Sequence, residues 1–287
     1  MPELPEVEIV KQSLQKNIKH KIIKKVIINN PNLRFKINDS FASNLKNKKI
    51  DLIRRLSKYI ILGLNNGSFV ILHLGMSGTI HIVKKGRKNK ITNSSFYSSP
   101  LLPKKHNHII IIFDKFKIIF NDPRRFGFFK ILSSNRELKS FFSNYGPEPF
   151  DKKFDINYLK NKLSKKTKNI KNYLLDQKFV SGIGNIYANE ILFFCKIKPF
   201  TQSGKLKIDQ YKNIIFYSKK VLNHAIKKGG SSIQNFKNID GNKGLFQDNF
   251  KVYQRENLKC LRKKCSGIIK KKMVTNRSVF YCNICQK

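Results

Sequence analysis

The spacing of apolar residues divides the chain into three parts. Near the start, Val7, Val10, Leu14 and Ile18 recur every three or four positions, which predicts an amphipathic helix over residues 5–19. From about residue 22 to 132 the apolar segments become short and β-branched, as in "YIILGL" and "SFVILHLGM", and turn-forming pairs such as Asn-Gly and Asp-Pro separate them. This pattern predicts an antiparallel sandwich or barrel.

The second half of the chain has a helical pattern. Residues 155–228 carry long apolar-periodic segments, and within 174–193 two apolar segments flank Gly182 and Gly184. We expect a tight helix-to-helix turn there, whose backbone N–H groups can bind a phosphate. The stretch 143–150 predicts a connector, and the glycine-rich stretch 227–247 predicts a mobile loop. The expected domains are a helix and sandwich over 1–135, a linker over 136–150, a helical domain over 151–248 and a terminal finger over 249–287.

Charge narrows the class of partner. The chain has 59 Lys and Arg against 17 Asp and Glu, a formal net charge of +42. Such an excess indicates a polyanionic partner, either nucleic acid or an acidic membrane, although biased codon usage can also enrich lysine. We find no signal peptide and no apolar stretch of about 20 residues that would span a membrane. A soluble, cytoplasmic protein is expected.

Four of the five cysteines lie near the end of the chain. Cys260 and Cys265 form one pair, and Cys282 and Cys285 form a second pair after sixteen intervening residues. Two such pairs are typical of one tetrahedral structural Zn²⁺ held by two hairpin turns. The first pair has four residues between its cysteines where most zinc ribbons have two. Cys195, in an apolar helical segment, is expected to be a core residue.

The first eight residues, "MPELPEVE", allow two interpretations. A proline and glutamates suit the first turn of a helix. Alternatively, removal of Met1 would leave Pro2 as a terminal secondary amine, which can add to a sugar carbon as lysine does in Schiff-base enzymes, with Glu3 moving protons beside it.

Six motifs, read together, carry a resemblance to a known family. "PELPEVE", "RRLSKYI", "HLGMSG", "NDPRRFG", "GIGNIYANE" and the cysteine ribbon occur in the order found in formamidopyrimidine-DNA glycosylases, and they extend over the whole chain. The resemblance implies an α+β multidomain protein: an N-terminal helix and antiparallel β-sandwich, then a helix–two-turn–helix domain and a zinc ribbon, with DNA in the cleft between the halves. It also implies a bifunctional enzyme that excises oxidised purines such as 8-oxoguanine and formamidopyrimidines, and then cleaves the abasic site by β,δ-elimination.

Catalytic roles follow from the same resemblance. Pro2 is implied as the nucleophile at C1′, Glu3 as the general acid/base, Lys58 as a residue near the lesion sugar and phosphates, and Arg277 as the arginine that grips lesion phosphates. Without the resemblance, Lys58 would be interpreted as an exposed strand lysine.

DNA contacts are implied in the same way. An enzyme that extrudes a base must fill the gap that it leaves, and the wedge of the family matches Met76, Arg124 and Phe126. Apolar residues at strand ends are otherwise most often core, which is the alternative for Met76 and Phe126. The implied DNA-contacting residues are His73, His106, Arg124, Lys166 and Asn185, and Glu6 is implied near the extruded base.

The predicted function is therefore base-excision repair of damaged double-stranded DNA by a monomer in a bacterial-type cytoplasm, associated with the nucleoid. Two alternatives stay open. One is the sister branch of the superfamily, which excises oxidised pyrimidines, and the other is a zinc-ribbon DNA-binding protein without catalysis, whose affinity would be mainly non-specific and salt-sensitive.

Overall fold

The computed structural model describes residues 2–84, 104–231, 245–274 and 276–287. The chain divides into two compact units, the first over 1–143 with 228–245 and the second over 144–227 with 246–287. The division falls after residue 143, inside the stretch predicted as a linker. No helix among the described residues is both long enough and apolar enough to cross a membrane.

The first unit is an antiparallel β-sandwich preceded by a helix. Its two four-stranded sheets have the strand orders β1-β6-β7-β5 and β2-β3-β4-β8, with every pairing antiparallel. The elements are α1 (Leu4–Ile18), β1 (Lys25–Ile28), α2 (Phe41–Leu45), β2 (Ile50–Leu56), β3 (Tyr59–Leu64), β4 (Phe69–His73), β5 (Thr79–Lys84), β6 (Asn107–Ile112), β7 (Phe116–Asn121), β8 (Phe128–Leu132) and α3 (Asn135–Phe142).

Alternation along the strands explains why the sheets pack on each other. In β3, Ile60 and Leu62 point into the large core that the two sheets share, and the predicted stripe of α1 is buried in that same core. The intervening residue Ile61 points to the opposite face, where it packs in a second cluster with Leu138 of α3. Because side chains alternate across a strand, one strand serves both layers.

The described residues of the second unit form four α-helices, two short 3₁₀ helices and a β-hairpin. Asp155 and Asn169 cap two of the helices by accepting hydrogen bonds from the backbone N–H of Tyr158 and Asn172. The elements are α4 (Ile156–Leu163), α5 (Ile170–Leu175), α6 (Asn185–Phe194), α7 (Ile208–Lys227), β9 (Ile269–Val274) and β10 (Arg277–Cys282).

The turn between α5 and α6 is built by one side chain and one glycine. Gln177 accepts a hydrogen bond from the N–H of Gly182 at 2.8 Å and donates to the carbonyl of Ile183 at 2.9 Å. Gly182 has φ +95°, a conformation that favours glycine. The predicted glycine turn is thus present, and α6 starts directly after Gly184.

The predicted fold class is confirmed. A helix and two antiparallel sheets are followed by a helical domain and a terminal cysteine hairpin. One difference is α3, which occupies much of the predicted linker 136–150. The predicted mobile loop 227–247 lies largely outside the described residues.

Candidate active site and DNA-contacting residues

The start of α1 is fixed by a reciprocal pair of glutamates. Glu3 is the N-cap residue, and its backbone N–H donates to the Glu6 carboxylate at 2.9 Å. Glu3 is buried, with 3% of its surface exposed, and Leu4 beside it is fully buried. A half-buried Pro2 therefore precedes a residue whose backbone and environment are both held. The helix-start interpretation is correct, and it is compatible with a reactive terminus one residue earlier.

Glu6 does more than cap the helix. Its Oε1 accepts hydrogen bonds from the backbone N–H of Ser231 at 2.8 Å and from the Ser231 hydroxyl at 3.1 Å. Gly230, with φ +79°, packs directly against this carboxylate. The Glu6 side chain thus links α1 to the segment that precedes residues 232–244, and its expected contact with an extruded base stays a prediction.

Lys58 lies in the tight turn between β2 and β3. The preceding Ser57 has φ 56° and is buried, and Arg55 donates to its carbonyl at 2.9 Å. The same guanidinium donates through Nε to Glu8 of α1, also at 2.9 Å. Arg55 therefore connects the helix that carries Glu3 to the turn that carries Lys58. Lys58 is itself buried, with 6% exposed, so it is not the exposed strand lysine of the alternative interpretation.

The three residues matched to the wedge lie on two adjacent loops. Met76, after β4, is 41% exposed, and Phe126, before β8, is 43% exposed. The Arg124 guanidinium lies over the Phe126 ring at 4.7 Å from its centroid, within cation–π range. In the structure neither apolar residue is a core residue. Together with His73 and Arg34, the three residues line a cavity of about 680 Å³.

Two glycines allow these loops to touch. A Cβ on Gly75 would lie 2.4 Å from the backbone of Phe126 and Gly127, and a Cβ on Gly127 would lie 2.8 Å from the carbonyl of His73. Such distances are far below van der Waals contact, so the crossing needs glycine on both sides. The first glycine of "HLGMSG" and the glycine of "RRFG" are thus explained by the backbone contact between the two loops.

His73 has a largely internal environment. Its Nδ1 accepts from the N–H of Gly75 at 3.1 Å, and its ring stacks on Phe128 with centroids 5.6 Å apart. Burial, together with the positive charges of Lys58 and Arg34, lowers the pKa of His73 to about 4. His73 is therefore neutral near pH 7 and orders the Gly75 turn. Its expected phosphate contact stays a prediction.

His106 occupies a different setting, at the end of a 3₁₀ turn over Lys104–His106. It is half-buried, and partial desolvation followed by the charges of Lys105 and His108 lowers its pKa. A neutral imidazole there can donate one hydrogen bond to an acceptor such as a phosphate oxygen.

In the second unit, two side chains converge on one backbone carbonyl. Lys171 of α5 donates through Nζ to the carbonyl of Ser278 at 2.9 Å, and Asn185 donates to the same oxygen through Nδ2 at 3.1 Å. Arg277, the residue before Ser278, is exposed on β10. The start of α6 and the arginine strand are thereby held together.

The sequence interpretation selected Lys166 as a phosphate contact, which stays a prediction, and it did not single out Lys171. Lys166 is exposed, whereas Lys171 is buried with 2% of its surface exposed. The sequence signal that could have indicated burial of Lys171 was its position next to Ile170, on a helix whose apolar residues face inward. Its partner is 107 residues away, which local patterns do not reveal.

The four terminal cysteines form one cluster. Their sulfur atoms all lie within 4.8 Å of one another, with Cys260 3.8 Å from Cys285 and Cys265 3.7 Å from Cys282. Backbone N–H groups point at two of the sulfurs, that of Arg262 at Cys260 and that of Cys285 at Cys282, each at 3.5 Å. The cluster can hold a metal ion. The longer first cysteine spacing therefore does not prevent the four sulfurs from converging. Cys195 lies outside the cluster and is buried, as expected.

Comparison with known proteins identifies the family. The model of the formamidopyrimidine-DNA glycosylase N-terminal domain matches residues 1–129, and that of the formamidopyrimidine-DNA glycosylase H2TH domain matches residues 145–237. A formamidopyrimidine-DNA glycosylase of Rickettsia bellii is 40% identical over 290 residues, covering 100% of both chains. One from a Wolbachia of Drosophila simulans is 38% identical over 287 residues, again with 100% of both chains covered.

Solved structures agree with this assignment. A Lactococcus lactis FPG in complex with a FAPY-dG containing DNA has a TM-score of 0.85 and 31% identity, covering 99% of this chain and 100% of that one. A complex of the Lactococcus lactis Fpg with an abasic site containing DNA also has a TM-score of 0.85 and 31% identity, covering 99% of each chain. The chain therefore belongs to the formamidopyrimidine-DNA glycosylase family, whose members are base-excision-repair glycosylases with DNA as their partner.

Proposed function

We propose that this protein removes oxidised purines, 8-oxoguanine and formamidopyrimidines, from duplex DNA, and then cleaves the abasic site through a Schiff base on Pro2. It would do so as a monomer in a bacterial-type cytoplasm, at the nucleoid. The domains would be those expected from the sequence, with the chemistry in 1–135, DNA binding in 151–248 and the ribbon in 249–287. The FAPY-dG and abasic DNA bound by the Lactococcus lactis relatives are consistent with a formamidopyrimidine lesion and an abasic site as substrates.

The observation that carries this proposal is the start of α1. Pro2 directly precedes a buried N-cap glutamate whose backbone N–H is hydrogen-bonded to Glu6. A terminal amine on Pro2 would therefore have little conformational freedom. Once Met1 is removed, the Pro2 nitrogen can attack C1′, forming an N–C bond while the glycosidic bond breaks and the base leaves. The α-amino group has an unperturbed pKa of about 7.7–8.0, which leaves an appreciable neutral fraction near pH 7.5.

Glu3 and Lys58 would complete the reaction. Protonation of the sugar ring oxygen by Glu3 opens the ring and leaves an iminium on Pro2. Loss of a proton from C2′ then expels the 3′ phosphate, and a second elimination expels the 5′ phosphate. Lys58, whose turn Arg55 connects to α1, would neutralise charge on the sugar phosphates.

Three exposed side chains would keep the lesion nucleotide out of the duplex. Met76 and Phe126 would enter the gap, and Arg124 would hydrogen-bond the orphaned base. Their exposure supports this role, because burying apolar surface against bases offsets part of the cost of unstacking. Backbone phosphates would be held by His73, His106, Lys166, Asn185 and Arg277. Lys171 would support Arg277 through its bond to the adjacent Ser278 carbonyl.

The cysteine cluster fits one structural Zn²⁺. Tetrahedral coordination with Zn–S bonds of about 2.3 Å requires sulfur atoms about 3.8 Å apart. Two of the six sulfur–sulfur separations are 3.8 and 3.7 Å, and all six are within 4.8 Å. Cys260, Cys265, Cys282 and Cys285 would hold the ion, which would supply folding energy to the hairpin. The proposed reaction steps are carried out by Pro2 and Glu3, and the ion has a structural role.

The test combines intact mass with borohydride trapping. We expect purified protein to lack Met1 and to form a covalent adduct with 8-oxoguanine duplex in borohydride. Pro2→Ala should abolish the adduct, while Pro5→Ala, a proline change in the same motif, should keep it. An otherwise identical thymine glycol duplex should react more slowly.

Each contrary result removes a defined part of the proposal. Retention of Met1 or absence of any adduct would exclude the Schiff base and leave a DNA-binding protein. Faster reaction with thymine glycol would assign the chain to pyrimidine excision.

A further inference from the structure

Asp122 lies where the two wedge loops meet, the loop 74–78 that carries Met76 and the loop 122–127 that carries Arg124 and Phe126. We infer that Asp122 is a positioning residue that holds Met76, Arg124 and Phe126 as one rigid group for insertion into the duplex. The inference rests on the proposed wedge and adds the residue that sets it.

The Asp122 carboxylate bonds both loops. Its Oδ1 accepts from the Ser77 hydroxyl at 2.5 Å and from the backbone N–H of Arg124 at 3.3 Å. Its Oδ2 accepts from the N–H of Gly127 at 2.8 Å. Met76 is adjacent to Ser77, and Phe126 is adjacent to Gly127. One carboxylate thus bonds the backbone at Arg124 and beside Phe126, and the hydroxyl of the residue that follows Met76.

The Asp122 backbone extends this network to a third segment. Its N–H donates to the carbonyl of His106 at 3.0 Å. Its own carbonyl lies 2.7 Å from Nε2 of His108, and because a carbonyl only accepts, the imidazole nitrogen must donate. His106, the expected phosphate contact, is therefore positioned by the same residue.

Burial makes the network strong. Asp122 has 0% of its surface exposed, and Ser77 has 4%. Water cannot replace the bonds from Ser77 and Gly127, which are both buried, so either donor stays unsatisfied if it loses its acceptor. Gly127 brings its N–H to the carboxylate at a place where a Cβ would lie 3.1 Å from Oδ2 and 2.6 Å from Phe120.

The contrast with the wedge side chains is the basis of the inference. Met76 and Phe126 are exposed, and a methionine at the surface samples several rotamers. Inserting such groups between bases requires that their backbones do not also move, because each ordered group adds an entropic cost. A fully buried carboxylate at the base of one loop, with three donors from the two loops, supplies that fixed base.

Asp122→Asn is the sharpest variant. It preserves size and removes one acceptor oxygen, so an amide NH₂ must face either Ser77 and Arg124 or Gly127. Ser77→Ala leaves the carboxylate but removes its hydroxyl donor, and with it the oxygen that accepts from the Arg124 N–H at 3.2 Å. The Arg124 N–H keeps its bond to Asp122, so we expect a smaller effect in the same direction. Asp114→Asn, at an exposed turn of the same sheet, is the matched control.

Insertion is measured without chemistry by 2-aminopurine fluorescence, in a duplex that carries an unreactive abasic analogue beside the probe base. We expect Asp122→Asn to slow the fluorescence rise about tenfold, the loss typical of one buried hydrogen bond to a charged acceptor. Borohydride trapping on a single-stranded abasic oligonucleotide, where no base must be displaced, should be unchanged in all three variants. Circular dichroism verifies that each variant is folded.

The outcomes separate the inference from the proposed function. A wild-type rate in Asp122→Asn, or an equal loss on the single strand and the duplex, would overturn the positioning role. If Asp122→Asn does not fold, Ser77→Ala decides: a wild-type rate overturns the inference and a slowed rate supports it. A wild-type protein that inserts its wedge yet forms no adduct refutes the Schiff base and leaves the role of Asp122 standing.

Discussion

The wedge loops of the first unit and the cysteine hairpin of the second present exposed side chains, the proposed contacts to DNA, by different means. The loops project from a sandwich with a large shared core, and a buried carboxylate with two glycines sets their shape. The hairpin packs in a small cluster that includes Val252, Ile269 and Phe280. Its shape depends on four sulfurs and on side chains that hydrogen-bond its backbone.

The difference reflects the size of the apolar core. A large core holds its loops firmly enough for hydrogen bonds to finish the positioning, whereas a small one needs a metal or other cross-link. Around the hairpin, Asn189 accepts from the N–H of Phe280 at 3.0 Å, and Gln286 accepts from that of Cys282 at 2.8 Å. These hydrogen bonds orient the hairpin, but they do not enlarge the small apolar cluster on which it packs.

The largest expected effect comes from removing a sulfur. Cys282→Ser should unfold the β9–β10 hairpin, because structural zinc contributes roughly 10–16 kcal/mol in isolated finger peptides. Hydrogen exchange measured by mass spectrometry should show protection lost over 255–287 and retained in β3 and β4. Cys195→Ala, at a buried cysteine outside the cluster, serves as control. Equal loss of protection in both units would contradict the comparison.

An intermediate effect is the loss of unfolding free energy that the first unit should show at acidic pH. Unfolded histidine takes up a proton below about pH 6.5, whereas folded His73 does so only near pH 4. The unfolded state therefore binds more protons between these values, so stability present above pH 6.5 is lost as the pH falls towards 4. The expected loss is about 3 kcal/mol.

His73→Asn isolates this contribution. Its amide oxygen can accept from the Gly75 N–H in place of Nδ1, and it does not titrate. Urea unfolding followed by exchange in β3 and β4 should show a shallower pH dependence than in the wild type. Parallel curves for the two proteins would mean that folding does not lower the pKa of His73.

The smallest expected effect tests the link between α1 and the Lys58 turn. Arg55→Lys cannot reach both Glu8 and the Ser57 carbonyl, since lysine lacks the two-pronged guanidinium. We expect a loss of about 1 kcal/mol in unfolding free energy and a few-fold slower trapping on abasic DNA. Arg54→Lys, at the exposed neighbouring position, should change neither quantity. A wild-type trapping rate in Arg55→Lys would show that the link does not set Lys58.

Sequence patterns predicted the elements better than the links between them. The helical stripe and the strand alternation are local signals. The stripe residues Val7, Val10, Leu14 and Ile18 are buried as expected, as are inward-facing strand residues such as Ile60 and Leu62. Helix α3 carried a local signal too, since Ser134 and Glu137 have capping-box spacing and the Ser134 hydroxyl accepts from the N–H of Glu137. The prolines and glycine that follow it favoured a linker instead.

Local motifs led to the proposed site residues, whose roles stay predictions. The side chains that hold those residues through distant partners were not predicted. Asp122 was part of a quoted motif, but its bond to Ser77 spans 45 residues. Lys171 looked like one of several lysines in a basic segment, because its acceptor lies on a strand far along the chain. Single-sequence periodicity contains no information about such pairs.

The crossing of Gly75 and Gly127 has a consequence for engineering. Since each backbone occupies the space that a side chain of the other would need, neither loop can be lengthened or exchanged by itself. Transplanting a different wedge from a relative would require moving both segments together as one cassette, whereas swaps at positions 76, 124 and 126 leave the crossing intact. Libraries aimed at a new opposite-base preference should therefore diversify those three positions and keep both glycines constant.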